Sequence, residues 1–175
     1  MSISRDDWID AAWKILGVAG VEGIRIEQLA RKLSVTKGSF YWHFKNRQGL
    51  VDAMIERWLG MREEDRPGYL SASEDPSERL WKVIERGITR GTRGQAAALR
   101  LWGQRNPEVQ EKIVIADSVR RQFFVDQFKA LGHNEEKAEI RAEVYMSVIS
   151  AEFLHAGNRD ETDRLAMARR KHGML

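Results

Sequence analysis

The stretch Leu33-Ser-Val-Thr-Lys-Gly-Ser-Phe-Tyr-Trp-His-Phe-Lys-Asn-Arg47 decides the fold. Immediately before it, Ile26-Glu-Gln-Leu-Ala-Arg-Lys-Leu33 sets Ile26, Leu29, Ala30 and Leu33 at i, i+3, i+4 and i+7, the apolar stripe of a short helix. Ser34 and Val35 carry that helix no further, and Thr36 is suited to cap a second one. Lys37, Gly38 and Ser39 fill the first turn of this second helix. Phe40-Tyr-Trp-His-Phe44 then crowds aromatics together, with Lys45 and Arg47 just beyond. Helix, three-residue turn and short helix is the helix-turn-helix plan, in which the second helix enters the major groove N-terminus first.

The residues from Val35 to Phe44, then Lys45-Asn-Arg47 and Leu50, resemble the signature of TetR-family transcriptional regulators. The resemblance reaches back to an amphipathic first helix ending in Gly20-Val-Glu-Gly23 and covers about the first third of the chain. It implies an all-α protein of about nine helices. A three-helix DNA-binding head over residues 1–47, with its helix-turn-helix at about 25–44, is joined by a long fourth helix to a helical effector-binding and dimerisation domain over 48–175. Two positions depart from the family's habit. Arg25 stands where Thr or Ser commonly caps the second helix; it cannot cap but can still reach a phosphate. Ser34 stands where glycine is common at the turn, and serine tolerates that bend less well.

Composition agrees with a helical protein and narrows its chemistry. Of the 175 residues, 42% are hydrophobic and 31% charged, as in an ordinary globular protein long enough for a real core. There is no cysteine, which excludes disulfides, thiol chemistry and zinc fingers. The start of the chain has no apolar signal core, and no run approaches the ~20 apolar residues of a spanning helix, so a cytoplasmic protein away from membranes is expected. The net charge of +3 sits wholly on residues 1–47, which hold eight Lys/Arg against five Asp/Glu; residues 48–175 hold 21 of each. The surplus lies where phosphates would be met.

Along the chain, Ser4 with Asp7 makes a capping box for a first helix that buries Trp8, Ala12, Ile15, Leu16 and Ala19. Asn46 caps a helix from about 47 to 66 with Leu50, Met54, Ile55, Trp58 and Leu59 on its buried stripe, and Pro67-Gly68 is expected to break it. Asp75-Pro76 with Glu78, and Asn106-Pro107, are cap-then-proline helix starts. Gly91 and Gly94 are expected to weaken the end of the helix that begins at Pro76. A short helix is expected over 96–104 and a long one to about Leu131, with Val109, Ile113, Ala116, Arg120, Phe123, Phe124 and Phe128 along one side. Gly132 suits the left-handed position after it, Asn134 caps a helix to about 156, and Asp160 starts a last one to about 170.

No enzyme motif is present: the four histidines are scattered, and no nucleophile elbow, phosphate loop or dinucleotide fingerprint occurs. No acidic or histidine cluster suggests a metal, and no cofactor is implied. On a helical wheel Phe40 and Phe44 share a core face, whereas Tyr41 and Trp42 fall on or near the surface, where a partner would justify them. The resemblance implies that Tyr41, His43 and Lys45 touch phosphates, while Lys37, Gly38 and Ser39 lie at the groove floor. Gly38 would let the helix end approach the bases closely, and Lys37 would prefer guanine acceptors. With Arg25, Thr36 and Trp42 these residues make the expected DNA surface.

The remainder has no comparable signature. By the resemblance it would pack around a small-molecule cavity, with Trp81, Trp102, Arg120, Phe123, Phe124, Gln127 and Tyr145 as the expected lining, although aromatics at helical spacing also build ordinary core. Its last two long helices would pair with those of a second subunit through Ile140, Val144, Ser147, Val148, Ala151, Leu154 and Leu165. The expected function is a ligand-responsive repressor binding a palindromic double-stranded DNA operator as a homodimer, released by a small-molecule effector. The alternative is an effector-independent DNA-binding protein with a structural or partner-recruiting role.

Overall fold

The computed structural model describes residues 3–89, 93–155 and 160–174, without the side chains of 59–66, 93 and 153–155. Among the described residues the chain is all-helical: α1 (Arg5–Ala19), α2 (Ile26–Lys32), α3 (Lys37–Tyr41), α4 (Arg47–Ser71), α5 (Pro76–Thr89), α6 (Arg93–Gly103), α7 (Pro107–Ala130), α8 (Glu135–His155) and α9 (Glu161–His172), with a single 3-10 turn at Val21–Gly23. The chain divides into two compact units, Met1–Met61 with Gly94–Lys112, and Arg62–Arg93 with Ile113–Leu175.

Local chemistry sets the helix starts. Asp7 N–H donates to Ser4 Oγ at 3.2 Å while Ser4 N–H donates to Asp7 Oδ2 at 2.8 Å, the reciprocal box read from the sequence. The hydroxyl of Ser4 holds the Asp7 carboxyl below its ordinary value. Asn46, Asp75, Asn106, Asn134 and Asp160 each accept a backbone N–H from the first turn of the helix after them. Thr36 occupies the capping position of α3, but its side chain makes no cap hydrogen bond, which corrects the expectation.

In the first unit, α1 buries Trp8, Ile9, Ala12 and Leu16; Leu29 of α2, Phe40 of α3 and Leu50, Met54 and Ile55 of α4 are buried with them. Arg57 of α4 pairs with Asp10 of α1 at 2.8 Å. Gly94 does not weaken the end of α5, as its sequence position suggested; it lies in the first turn of α6, where a Cβ would come 2.6 Å from the carbonyl oxygen of Gly17. Glycine there permits a close approach of α6 to α1. Gly91 lies outside the described residues, as does the side chain of Leu59.

The second unit has its own core. Leu80, Trp81, Ile84 and Ile88 of α5 meet Phe123, Phe124 and Phe128 of α7, with Ala142, Tyr145 and Ile149 of α8 and Ala168 of α9. The α4 helix does not stop at Pro67-Gly68 but runs to Ser71 with Pro67 inside it. A proline removes its own N–H bond and crowds the preceding turn, a cost that packing near a helix end can offset. The last turn is held from outside, by Tyr69 packed against Phe123 with ring centroids 6.0 Å apart and by the Arg86 guanidinium 5.5 Å over the Tyr69 ring.

Between α5, α8 and α9, His172 bonds through Nδ1 to the Tyr145 hydroxyl at 2.8 Å and through Nε2 to Ser77 Oγ at 3.1 Å. Arg169 pairs with Glu78 beside it, and its guanidinium lies 4.8 Å over the Trp81 ring. Desolvation, aided by the Arg169 charge and opposed by Glu78 and Asp75, lowers the His172 pKa below its ordinary 6.5. Because the folded value lies below the unfolded one, this contribution to stability is complete above pH 6.5 and is lost as pH falls through the folded value. Thermal unfolding from pH 7.5 to 5.5 should therefore show a smaller loss of midpoint in His172→Gln than in the wild type. Equal losses would mean that His172 carries none of the acid sensitivity.

Candidate nucleic-acid interface

The turn between α2 and α3 is made by a serine in a glycine's conformation. Ser34 has φ of 57°, the left-handed region, and is the one non-glycine residue with positive φ among the described residues. Ser34 N–H donates to Arg31 O at 3.1 Å and Val35 N–H to Ala30 O at 3.0 Å, so the chain closes the end of α2 and redirects into α3. The departure noted in the sequence is thus a real backbone strain, stored at the bend that aims the second helix.

Phe40 fixes how α3 sits. Its ring is fully buried, edge-on to Trp8 with centroids 5.2 Å apart and tilted against Phe44 at 5.4 Å. Both phenylalanines are core, as the helical wheel required. With that face inside, Thr36, Lys37, Gly38, Tyr41, Trp42 and Lys45 are exposed, and Ser39 and His43 half-exposed. Tyr41 is 53% and Trp42 89% exposed, a large aromatic area left open to solvent. Arg25, at the capping position of α2 with no cap bond, is exposed as well. All nine residues expected to form the DNA surface lie in the first unit, and none is buried. A Cβ on Gly38 would meet only Thr36 Oγ1, at 3.6 Å, so nothing within the fold requires glycine there.

Two details escaped the sequence. Lys37 Nζ is ion-paired to Glu27 Oε1 in the first turn of α2, which raises the lysine's pKa and lowers the carboxyl's. Ten residues and a turn separate the two, so no helical spacing signalled the contact. Arg47, which reads as one more basic residue beyond α3, instead donates through Nε to Ile24 O at 2.7 Å and through Nη2 to Val21 O. It fastens the start of α4 to the segment before α2.

Of the residues expected to line an effector cavity, Trp102 belongs to the first unit and the other six to the second. Of those six, Phe123 and Phe124 pack at 5.9 Å and Phe124 and Tyr145 edge-on at 5.1 Å, within the core that also holds Trp81. Their polar neighbours already have partners. Gln127 accepts from Arg79 Nη1 at 3.4 Å, and the Tyr145 hydroxyl, its pKa pushed up by burial, bonds to His172. Arg120 pairs with Asp117 at 3.2 Å, and burial lowers its pKa to about 10. A cleft of about 290 Å³ lies elsewhere in this unit, between the end of α4 and α5, lined by Tyr69, Lys82, Arg86 and Thr89 among others and by none of the expected residues. Among the described residues no group of three or more His, Cys, Asp or Glu could hold a metal ion, and no helix is long and apolar enough to cross a membrane.

On α8, Ile140 is 57% and Val144 42% exposed, Ser147 is exposed, and Val148 and Ala151 are half-buried. Leu165 of α9 packs against its own unit's core, while the Leu154 side chain lies outside the described residues. A pair missed by the sequence reading, Arg164 Nε to Glu152 Oε1 at 2.8 Å, is buried between α8 and α9.

Known proteins share both the head and the fold. Residues 9–54 match the family model for bacterial regulatory proteins of the tetR family. The chain is 38% identical over 62 residues to the class D tetracycline repressor protein of Escherichia coli, covering 35% of this chain and 28% of that one, so it spans little more than a quarter of that relative. A TetR transcriptional regulator of Legionella pneumophila has the same fold, with a TM-score of 0.84 over 99% of this chain and 98% of its own at 16% identity. The regulator FadR of Bacillus subtilis, solved in complex with stearoyl-CoA, aligns with a TM-score of 0.74 over 98% of this chain and 97% of its own, also at 16% identity.

Strain at the turn has a direct check. Ser34→Gly should stabilise the first unit by about 0.5–1 kcal/mol, the relief of a left-handed non-glycine residue less the added freedom of glycine in the unfolded chain. Urea unfolding measures it, and destabilisation by that variant would contradict the strained turn.

Proposed function

We propose that this chain, which belongs to the TetR family through the head carried by its residues 9–54, is a sequence-specific DNA-binding transcriptional repressor. It acts as a homodimer on a palindromic double-stranded operator and is released by a small-molecule effector. As a DNA-binding regulator it works in the cytoplasm. The observation that carries the reading is the two-faced segment formed by the third helix and the residues just after it. Phe40 and Phe44 are buried while Lys37, Tyr41 and Trp42 stand exposed around them. Lys37, Gly38 and Ser39 reach base edges at the open end of α3, and Tyr41, His43 and Lys45 settle on phosphates on either side.

A single helix-turn-helix of this size touches one half-site, and two half-sites lie about 34–36 Å apart or a multiple of that. The exposed Ile140 and Val144, with the small Ser147 and Ala151 one and two turns on, support pairing of α8 with its copy. In this proposal the head ends at residue 47, and effector binding and dimerisation belong to residues 48–175. The stearoyl-CoA bound by the structurally similar FadR supports an effector role for the helices after the head. An effector acts here only through its differential affinity for two spacings of the recognition helices.

A second reading has its own support. The polar groups of Gln127 and Tyr145 are satisfied within the chain, as in an effector-independent DNA-binding protein whose aromatic residues are core alone.

Titrations of duplexes selected from a random pool, against mixed-sequence duplex at two salt concentrations, test the roles. Tyr41→Ala should weaken binding to both by about 1–2 kcal/mol, one lost bond to a charged phosphate. Lys45→Ala should weaken both and reduce the salt slope by about 0.9 per subunit. Lys37→Ala should erode the preference for the selected sequence. Equal losses on both duplexes for all three variants would sink the division into positioning and reading residues.

A further inference from the structure

We propose that Glu27 is a positioning residue for Lys37, and that the carboxylate on α2 and the ammonium on α3 act as one reading pair that selects a guanine. The inference rests on the DNA-binding reading above and goes beyond it in assigning a role to an acidic residue on the same face.

The pair joins the first turns of the two helices of the motif. Lys37 Nζ lies 2.5 Å from Glu27 Oε1, and both side chains are exposed, at 50% and 60%. A lysine ammonium is a point charge on a flexible four-carbon stem, with no geometry of its own to match a base edge. Tethered to Glu27 it has one donor committed and two left, the number that guanine O6 and N7 accept side by side in the major groove. The carboxylate thereby does for lysine what a planar fork does for arginine.

It has a second effect of opposite sign. A negative charge on the surface that meets the duplex is repelled by every phosphate and holds Lys37 away from them. Only a base edge that uses the remaining donors compensates. Non-specific binding is therefore weakened more than specific binding, and discrimination rises through a built-in repulsive element. An acid in the first turn of α2 favours the helix dipole by itself, and that contribution does not need the lysine. Glu27 is exposed, its side chain bonds to the lysine, and an exposed ion pair contributes little to stability.

The experiment is selection from a randomised duplex pool by the full chain and by Glu27→Gln, Lys37→Ala and the double variant. Titration of mixed-sequence duplex at two salt concentrations completes it. Circular dichroism confirms equal helix content, which the exposed position of Glu27 favours. The wild type should enrich guanine at one position of each half-site, and Lys37→Ala should lose that enrichment. Glu27→Gln should lower it about two- to fivefold, the scale of an exposed pair. It should also bind mixed-sequence duplex more tightly, with a salt slope steeper by about 0.9 per subunit as the freed lysine finds a phosphate. In the Lys37→Ala background the Glu27 change should leave base preference unmoved. An unaltered guanine preference in Glu27→Gln, or an equal effect with Lys37 absent, overturns the pairing while leaving Lys37 as a reader. Retention of the preference in Lys37→Ala, or no enrichment by the wild type, overturns both this inference and the base-reading role from which it starts.

Discussion

The edge-on contact between Phe40 and Trp8 is the constraint on which the reading end of this protein depends. The helix that carries Phe40 has five residues, far too few to hold itself together in water. Its conformation is imposed by burial. Removing a fully buried phenylalanine ring costs about 3–5 kcal/mol, comparable to the whole stability of many small domains. Once that ring is inside, the 100° step between helical neighbours carries Tyr41 off the buried face, and Lys37, one turn before Phe40, is exposed at the start of the helix. Arg5, whose guanidinium sits 5.1 Å over the Phe44 ring, and Arg47, bonded to the carbonyls of Val21 and Ile24, brace the same block from its two ends.

Two ion pairs of this protein sit in opposite dielectric regimes. Glu27 and Lys37 are open to water, so their attraction is screened and modest, and an incoming base or phosphate can compete for the lysine. Glu152 and Arg164 are removed from water between α8 and α9, where breaking the pair would strand a buried charge. The first suits a reader that must rearrange on binding. The second suits a fixed joint between two helices.

Much of this is legible in the sequence, for definite reasons. The motif from Val35 to Phe44 is legible because buried and exposed residues alternate at helical spacing. The caps at Ser4, Asn46, Asp75, Asn106, Asn134 and Asp160 are legible because a side-chain acceptor next to a helix start acts locally. What is not legible is non-local. Pro67 looks like a helix stop in sequence, but Phe123 and Arg86 clasp Tyr69 just beyond it. Gly94 looks like a weak helix end, yet its approach to Gly17 marks a close crossing. Arg47 looks like one more basic residue near the phosphates, and Glu27 like ordinary acid in a first turn, because each takes its partner from another helix or loop. Among the residues expected to line a cavity, Trp81, Phe123, Phe124 and Tyr145 share one packed core, since periodicity marks which residues are buried and not whether they enclose a space. Ser34 lies between these cases: its cost is readable from residue type and takes the form of a positive φ.

The proposed DNA surface, residues 25, 36–39, 41–43 and 45 around the buried Phe40, is tested most directly by hydrogen exchange of the full chain with and without mixed-sequence duplex at low salt. Slowed exchange should be concentrated in α3 and its flanking residues, from Thr36 through Arg47, and should be lost again when salt is raised. Protection centred on α8 and α9, or none in α3 while the DNA is bound, would contradict that surface.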